Sequence, residues 1–351
     1  MKNRFLFMAV CVFTAVIASC KKTADIVVIV PPPTDVKTQT LSGGAGGSNA
    51  PNSVFIDMSN ARQDSVPRAS WDLAFYGGAD FRVTLNFTSG AGVKITNKND
   101  LMQVGAADTI GLTLSTSQLD PQPGDLAYFD DLSGDIGKTV IPAISATDAE
   151  NKVIILNRGA VGGIAPRPWI KLRILRNSSG GYTLHYAGIK ETTIRTVNIP
   201  KDAEYNFKFV SLNNGGSLVN VEPEKTAWDF EWTYSIYKAN FGGGDVPYPF
   251  SDIVAINTLG GVQVAQVMTS TVSFADYKEA NITGTSFSNN RWVIGSNWRA
   301  TTGTVGVRTD RFYVLKDPTG NVYKLRFISF HASDGGVRGY PVVEYKLVKP
   351  G

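Results

Sequence analysis

Ala69-Ser70-Trp71-Asp72-Leu73-Ala74-Phe75 returns later in this chain as Thr226-Ala227-Trp228-Asp229-Phe230-Glu231-Trp232. The first copy alternates large apolar residues with polar or small ones, the period-two pattern of a half-buried strand. Two further anchors follow each copy. Trp169-Ile170-Lys171-Leu172-Arg173-Ile174-Leu175 returns as Val322-Tyr323-Lys324-Leu325-Arg326-Phe327-Ile328, and Gly180-Gly181-Tyr182 returns as Gly339-Tyr340. The displacements are 157, 153 and 158 residues (Trp71 to Trp228, Lys171 to Lys324, Tyr182 to Tyr340). Chance matches do not keep both order and offset, so the pattern predicts a tandem duplication of a unit of about 150 residues.

Around these anchors the chain reads as short strands joined by turns. Predicted strands include 38–41, 54–58, 82–87, 110–114, 152–156, 207–212, 260–267 and 341–348, with 311–315 and 323–330 joined as a hairpin by Lys316-Asp317-Pro318-Thr319-Gly320. Phe241 to Phe250 reads as a Gly/Pro/aromatic loop, and Phe274 to Ala280 as a short helix. No long amphipathic helix is visible, so the expected class is mostly β. The expected domains are two tandem antiparallel β units, 36–195 and 196–351.

The N-terminal 35 residues read differently. Lys2 and Arg4 precede an apolar stretch, Phe5 to Ile17, that is short for a membrane span. Ile17-Ala18-Ser19-Cys20 looks like a bacterial lipobox, in which a thiol is needed for thioether formation and small residues must precede it for the peptidase. Residues 1–20 are therefore read as a lipoprotein signal peptide, with Cys20 as the lipidated residue. Lipid would then tether the chain without a transmembrane helix. Residues 21–35 read as a tether, with Pro31-Pro32-Pro33 extended.

Composition excludes some functions. The net charge is +4 with both signs interspersed, and no basic block extends beyond Lys21-Lys22, so nucleic acid is not an expected partner. The two cysteines lie inside and at the end of the signal, which leaves no disulfide within the folded units. No nucleophile elbow, zinc-protease or phosphate-loop motif occurs, so no enzyme is expected. Asp130, Asp131 and Asp135 lack the spacing and closing Glu of a calcium loop. The repeated Asp72 and Asp229 read as residues that bond local backbone at a strand start.

The Trp-Asp strand, the Lys-Leu-Arg strand and the closing Gly-Tyr strand, behind a lipobox, resemble the HmuY family of Bacteroidetes lipoproteins. The resemblance covers nearly all of residues 36–349 as two family-like units. It implies a protein lipid-anchored to the outer membrane, on its periplasmic or cell-surface face. It also implies haem capture for iron acquisition and transfer to a TonB-dependent outer-membrane receptor. In the family, haem iron sits between axial side chains, His in some members and Met in others.

On that expectation the haem-ligand candidates are His185, His331, Met102 and Met268, and each also reads as an ordinary strand, turn or packing residue. Trp292 and Trp298, near Asn289, Asn290 and Arg299, are candidates for stacking on a sugar or porphyrin ring, or for packing at a core or domain interface. The alternative function is a non-haem surface module that binds glycan or a protein partner.

Overall fold

The computed structural model describes residues 35–351. The signal, Cys20 and nearly all of the expected tether lie outside the described residues. Twenty strands follow in order. The first five are β1 (Lys37–Thr40), β2 (Asn52–Asp57), β3 (Arg62–Pro67), β4 (Leu73–Tyr76) and β5 (Val83–Leu85). Next come β6 (Gly92–Ile95), β7 (Ile154–Asn157), β8 (Ile170–Arg176), β9 (Tyr182–Gly188) and β10 (Arg195–Ile199). Then β11 (Phe207–Ser211), β12 (Ser217–Val219), β13 (Phe230–Asn240), β14 (Asp245–Ile256) and β15 (Gln263–Met268). Last are β16 (Arg299–Ala300), β17 (Gly306–Val307), β18 (Arg311–Lys316), β19 (Val322–Ser329) and β20 (Val342–Lys349). The chain is mostly β, as its alternation and turn residues predict.

The strands build two sandwich lobes. In one, a five-stranded sheet β10-β9-β8-β7-β6 covers a four-stranded sheet β12-β11-β4-β5. In the other, β1-β20-β19-β18-β15 covers β14-β13-β2-β3. Every pairing is antiparallel. Leu73, Phe75 and Val210 pack with Leu172, Ile174 and Tyr182 in the first core. Val54, Ile56 and Phe230 pack with Tyr313, Leu325 and Tyr345 in the second.

The two four-stranded sheets also meet back to back. Phe55, Ala74 and Phe209, each one residue out of step with its lobe's core positions, pack together with Trp71, Val221 and Trp228. Alternation thus fills cores on both faces of these sheets.

The expected boundary at 195/196 is corrected by the pairing. β10, read as the opening strand of the second unit, pairs with β9, and β11 pairs with β4. Reciprocally, β1 pairs with β20 and β2 with β13. One lobe is therefore contiguous from β4 to β12, while the other joins β1–β3 to β13–β20. Six residues separate β9 from β10, and a connection that short favours pairing of its neighbours. All described residues fall within one compact unit.

Three local expectations also change. Residues 110–114 are a turn and irregular chain rather than a strand, because Ile110 is 82% exposed while Leu114 is fully buried, so their alternation serves no common face. Most of 241–250 joins the hairpin β13–β14. Pro247 and Pro249 are tolerated there because β14 is an edge strand and their carbonyls accept from Thr116 and Gln118 on its outer side. The expected helix at 274–280 is replaced by a short 3-10 turn, Glu279–Gly284. Among the described residues no helix is long and apolar enough to cross a membrane.

Candidate functional site

The repeated Trp-Asp pair fixes the place where the lobes meet. Asp72 N–H donates to the Val210 carbonyl at 2.8 Å, and Asp72 Oδ2 accepts from Leu212 N–H at 2.7 Å. Asp229 repeats both bonds, to Ile56 and from Met58, at 2.6 and 2.7 Å. Each Asp therefore binds backbone far away in sequence, not the local backbone expected of it. Asn86 and Asn257 in turn donate to the carbonyls of Trp71 and Trp228, at 2.7 and 2.9 Å. Both Trp rings are held at the seam between the four-stranded sheets.

A cleft opens along that seam. Trp71, Phe209 and Trp228 line it from the sheets, and Arg291 with Trp292 lines it from the β15–β18 connection. The segment from Phe129 to Thr139 borders it from the β6–β7 connection. The cleft encloses about 910 Å³ of space free of protein atoms, its open mouth included. Only about 80 Å³ admits the centre of a water molecule. The smaller figure decides what fits. One water needs roughly 10–15 Å³ by that measure, so the cleft has room for several waters or one small ring, not for a whole macrocycle.

Charge is concentrated here. Asp130 accepts from Leu85 N–H at 2.8 Å and from Val140 N–H at 2.9 Å, which ties the bordering segment to β5. Burial pushes its carboxyl up to about 6, against the lowering effect of those two bonds. Burial and the neighbouring Glu231 push Glu222 up to about 8. Glu231 is raised by burial as well, and its Oε2 lies 4.0 Å from Arg291 Nη2. The Arg291 guanidinium sits 4.4 Å from the Phe87 ring centre and 5.3 Å from that of Trp292. Burial lowers its pKa while Glu231, Glu222 and Asp130 oppose that shift. Three carboxyls thus share one guanidinium.

Two polar atoms in this lining lack partners. Trp228, 5% exposed, has an indole Nε1 with no hydrogen bond, and the Glu222 carboxyl, which bonds Asn206, has an Oε2 that is dry and without a partner of its own. Trp292, by contrast, donates its Nε1–H to the Leu132 carbonyl at 2.6 Å.

Of the haem-ligand and ring-stacking candidates named from the sequence, only Trp292 lines the cleft. Trp298 is 1% exposed, stacked on Phe327 at 4.2 Å and bonded to the Asp252 carbonyl, so it is core. His185 lies on β9 and meets Thr196 Oγ1 at 3.0 Å. Burial, with Arg173 nearby, lowers its pKa. His331 caps a 3-10 turn through Ser333 N–H. Met102 is half-exposed in the turn Leu101–Gln103 and Met268 ends β15. These four lie on separate elements and none lines the cleft.

The cleft does not fit an iron held between two axial side chains, because its lining contains no His, Met or Cys. Among the described residues no group of three or more His, Cys, Asp or Glu is placed to hold a metal ion.

Sequence reasoning missed Glu222 and Arg291, and it weighed Asp130 only as part of a calcium loop. The nearest signal was the doubled Trp71 and Trp228, whose repetition marked them as core although both also line the cleft.

A family model described as HmuY protein matches residues 49–345. No curated protein and no solved structure matches the chain.

Proposed function

The chain belongs to the HmuY family, and on that premise we propose that it is a non-catalytic ligand-capturing lipoprotein of haem and iron acquisition, with the interlobe cleft as its ligand site. Family membership supports haem as the ligand class. The observation that carries the choice of site is the cleft itself, walled by Trp71, Phe209, Trp228 and Trp292 at the seam of two rigid sandwiches. Concave, mostly apolar sites with a few polar groups are the usual form of a small-ligand site.

The lining governs how haem would be held. The cleft has no room for a whole macrocycle, so these residues could hold only a porphyrin edge, by packing among Trp71, Phe209, Trp228 and Trp292, and they offer the iron no imidazole or thioether. When bound, the haem would supply its iron to the acquisition route, and the protein's part would be packing and shielding. Cys20, as lipid-bearing residue, would keep this site at the outer membrane, where a TonB-dependent receptor could collect the ligand.

The test is a titration of the detergent-solubilised full chain with haemin and with metal-free protoporphyrin, read by tryptophan fluorescence and Soret absorbance. Saturable quenching by both, with similar affinities and no dependence on His185, His331, Met102 or Met268, is the expected result. A Soret shift that disappears in His185→Ala or His331→Ala would move haem out of the cleft. No saturable response to either compound would end the haem reading.

A further inference from the structure

The hairpin β13–β14 runs on past the sheet it belongs to. Only Phe230 to Trp232 of β13 pair with β2, while the pairing of β13 with β14 continues out to Asn240 and Asp245. Side chains alternate along a strand, so Tyr237 and Tyr248, directly opposite in register, share a face with Phe250. Phe241, in the turn, is 67% exposed and joins them. The rings form one continuous strip in the order Phe241, Tyr248, Phe250, Tyr237 and Trp292, with centres 5.1–5.3 Å apart at each step. Tyr248, Phe250 and Tyr237 are half-buried, and of the five only Trp292 lines the cleft. An exposed, contiguous aromatic patch of this kind marks a place where something binds.

The geometry of the strip selects its occupant. Successive ring planes are turned by 65–87°. A rigid macrocycle can lie against one such ring but not along the row. A chain of small rings that turns at each link can offer a face to every one. The aromatic rings also touch, which leaves no socket between them for the side-chain anchors on which protein interfaces rely. Neither the Tyr237 nor the Tyr248 hydroxyl has a hydrogen bond among the described residues, and neither is sealed from solvent. Charge at the hairpin is answered internally, since Lys238 Nζ stands 3.1 Å from Asp245 Oδ2 and Asn240 donates to Asp245 Oδ1 at 3.1 Å. The strip therefore offers apolar ring faces and neutral hydroxyls. A carbohydrate answers both, with C–H faces that pack on aromatic rings and hydroxyls that donate and accept at its edges. We propose that this strip binds a neutral oligosaccharide of several units, laid along the hairpin from Phe241 toward Trp292.

The experiment uses the detergent-solubilised full chain and four probes: maltotetraose, cellotetraose, chitotetraose and mannotetraose, each with its disaccharide. Calorimetry reads sugar binding, haemin is titrated in parallel, and sedimentation reads self-association. Saturable binding of at least one tetrasaccharide is expected, with its disaccharide about tenfold weaker or more. Phe241→Ala alters an exposed turn and should keep the fold, and it should weaken the tetrasaccharide about tenfold by removing one stacking ring. Phe241→Tyr, which keeps the ring, should bind like the parent. Haemin affinity should be the same in Phe241→Ala as in the parent, so the strip and the cleft can each fail alone. Failure of all four tetrasaccharides to bind would overturn the proposal, as would binding unchanged in both Phe241→Ala and Tyr248→Ala. Without sugar binding, haemin affinity that falls in Phe241→Ala would give the strip to the macrocycle, and self-association lost in Phe241→Ala would give it to a second copy of the chain.

Discussion

Arg158 grips Asp72 with two parallel hydrogen bonds, Nε to Oδ1 and Nη2 to Oδ2, each 2.8 Å. Arg167 adds a third contact, 3.0 Å from Oδ1. All of this lies inside the first lobe, where Asp72 is fully buried. Removing one member of a buried ion pair strands the other charge, which costs about 3–5 kcal/mol. Asp72→Asn is therefore expected to destabilise the protein by about that amount, measured by equilibrium denaturation in urea. Asp72→Asn with Arg158→Met should lose less than the sum of the two single changes. Additive losses would mean that the pair is not a unit.

Asp229 occupies the corresponding place in the other lobe without a matching cation. Where Arg158 follows β7, Asp317 follows β18, and among the described residues no basic side chain pairs with Asp229. Burial foremost, with Asp317 and Asp57 adding repulsion, raises the Asp229 pKa well above its ordinary 3.8, although the Met58 N–H bond opposes this. The folded state then keeps a proton that the unfolded chain gives up above pH ~4. Asp229 thus contributes stability below that pH, and the contribution shrinks as pH rises toward the folded pKa. Asp229→Asn keeps an acceptor for Met58 N–H and carries no charge to bury. The expected outcome is a variant about as stable as the parent near pH 4 and more stable at pH 8. A variant less stable at pH 8 would show that the Asp229 charge is compensated after all.

The strands were legible in the sequence and their partners were not. Trp71-Asp72-Leu73 and its copy announce strands through alternation, which is local. Which sheet they join depends on pairings such as Phe230 with Ile56 and Val210 with Leu73, and nothing within either strand encodes its partner. A repeat offset of 157 residues is the same whether each unit folds alone or lends its opening strands to the other. The cleft was illegible for the same reason. Glu222 and Arg291 are ordinary surface residues in sequence, and they become a partly buried cluster only where two sheets pack back to back. Trp292 could be singled out because it stood outside the repeat anchors. Trp298 met the same criterion and proved to be core, since an aromatic beside polar residues reads alike in either place.

Asp130 is the tie between the cleft's border and β5. Its two bonds, from Leu85 N–H and Val140 N–H, fix the start and end of a segment rich in Gly and Asp. Asp130→Ala leaves both N–H groups without that acceptor, a loss of about 1–3 kcal/mol spread over a local structure. The expected result is faster proteolytic cleavage between residues 130 and 140 with little change in the global unfolding midpoint. Asp130→Asn, which retains acceptor capacity, should be cut at an intermediate rate. Burial holds the Asp130 pKa at about 6, so ionising it is unfavourable in the folded state. Its contribution to stability is full below pH ~4 and declines as pH rises through 6. Cleavage of the unaltered protein should accordingly be faster at pH 8 than at pH 5, after correction for the protease's own pH dependence.

Trp292 and Trp298 looked alike in sequence and should part in one experiment. Trp298 is stacked on Phe327 and edge-on to Phe330 inside the second core, so Trp298→Ala should cost about 3–5 kcal/mol. Trp292 is only partly buried, and its ring stands edge-on to Tyr237 at 5.3 Å while its indole bonds Leu132. Trp292→Ala removes one hydrogen bond and part of a wall, an expected loss of about 1–2 kcal/mol. It also takes away one of the two rings over which Arg291 is seated. Ligand-induced fluorescence change should therefore fall sharply in Trp292→Ala, whereas Phe327→Leu, which disturbs Trp298 without touching the cleft, should retain it. The opposite pattern would move the responsive tryptophan, and the ligand with it, out of the seam and into the second lobe.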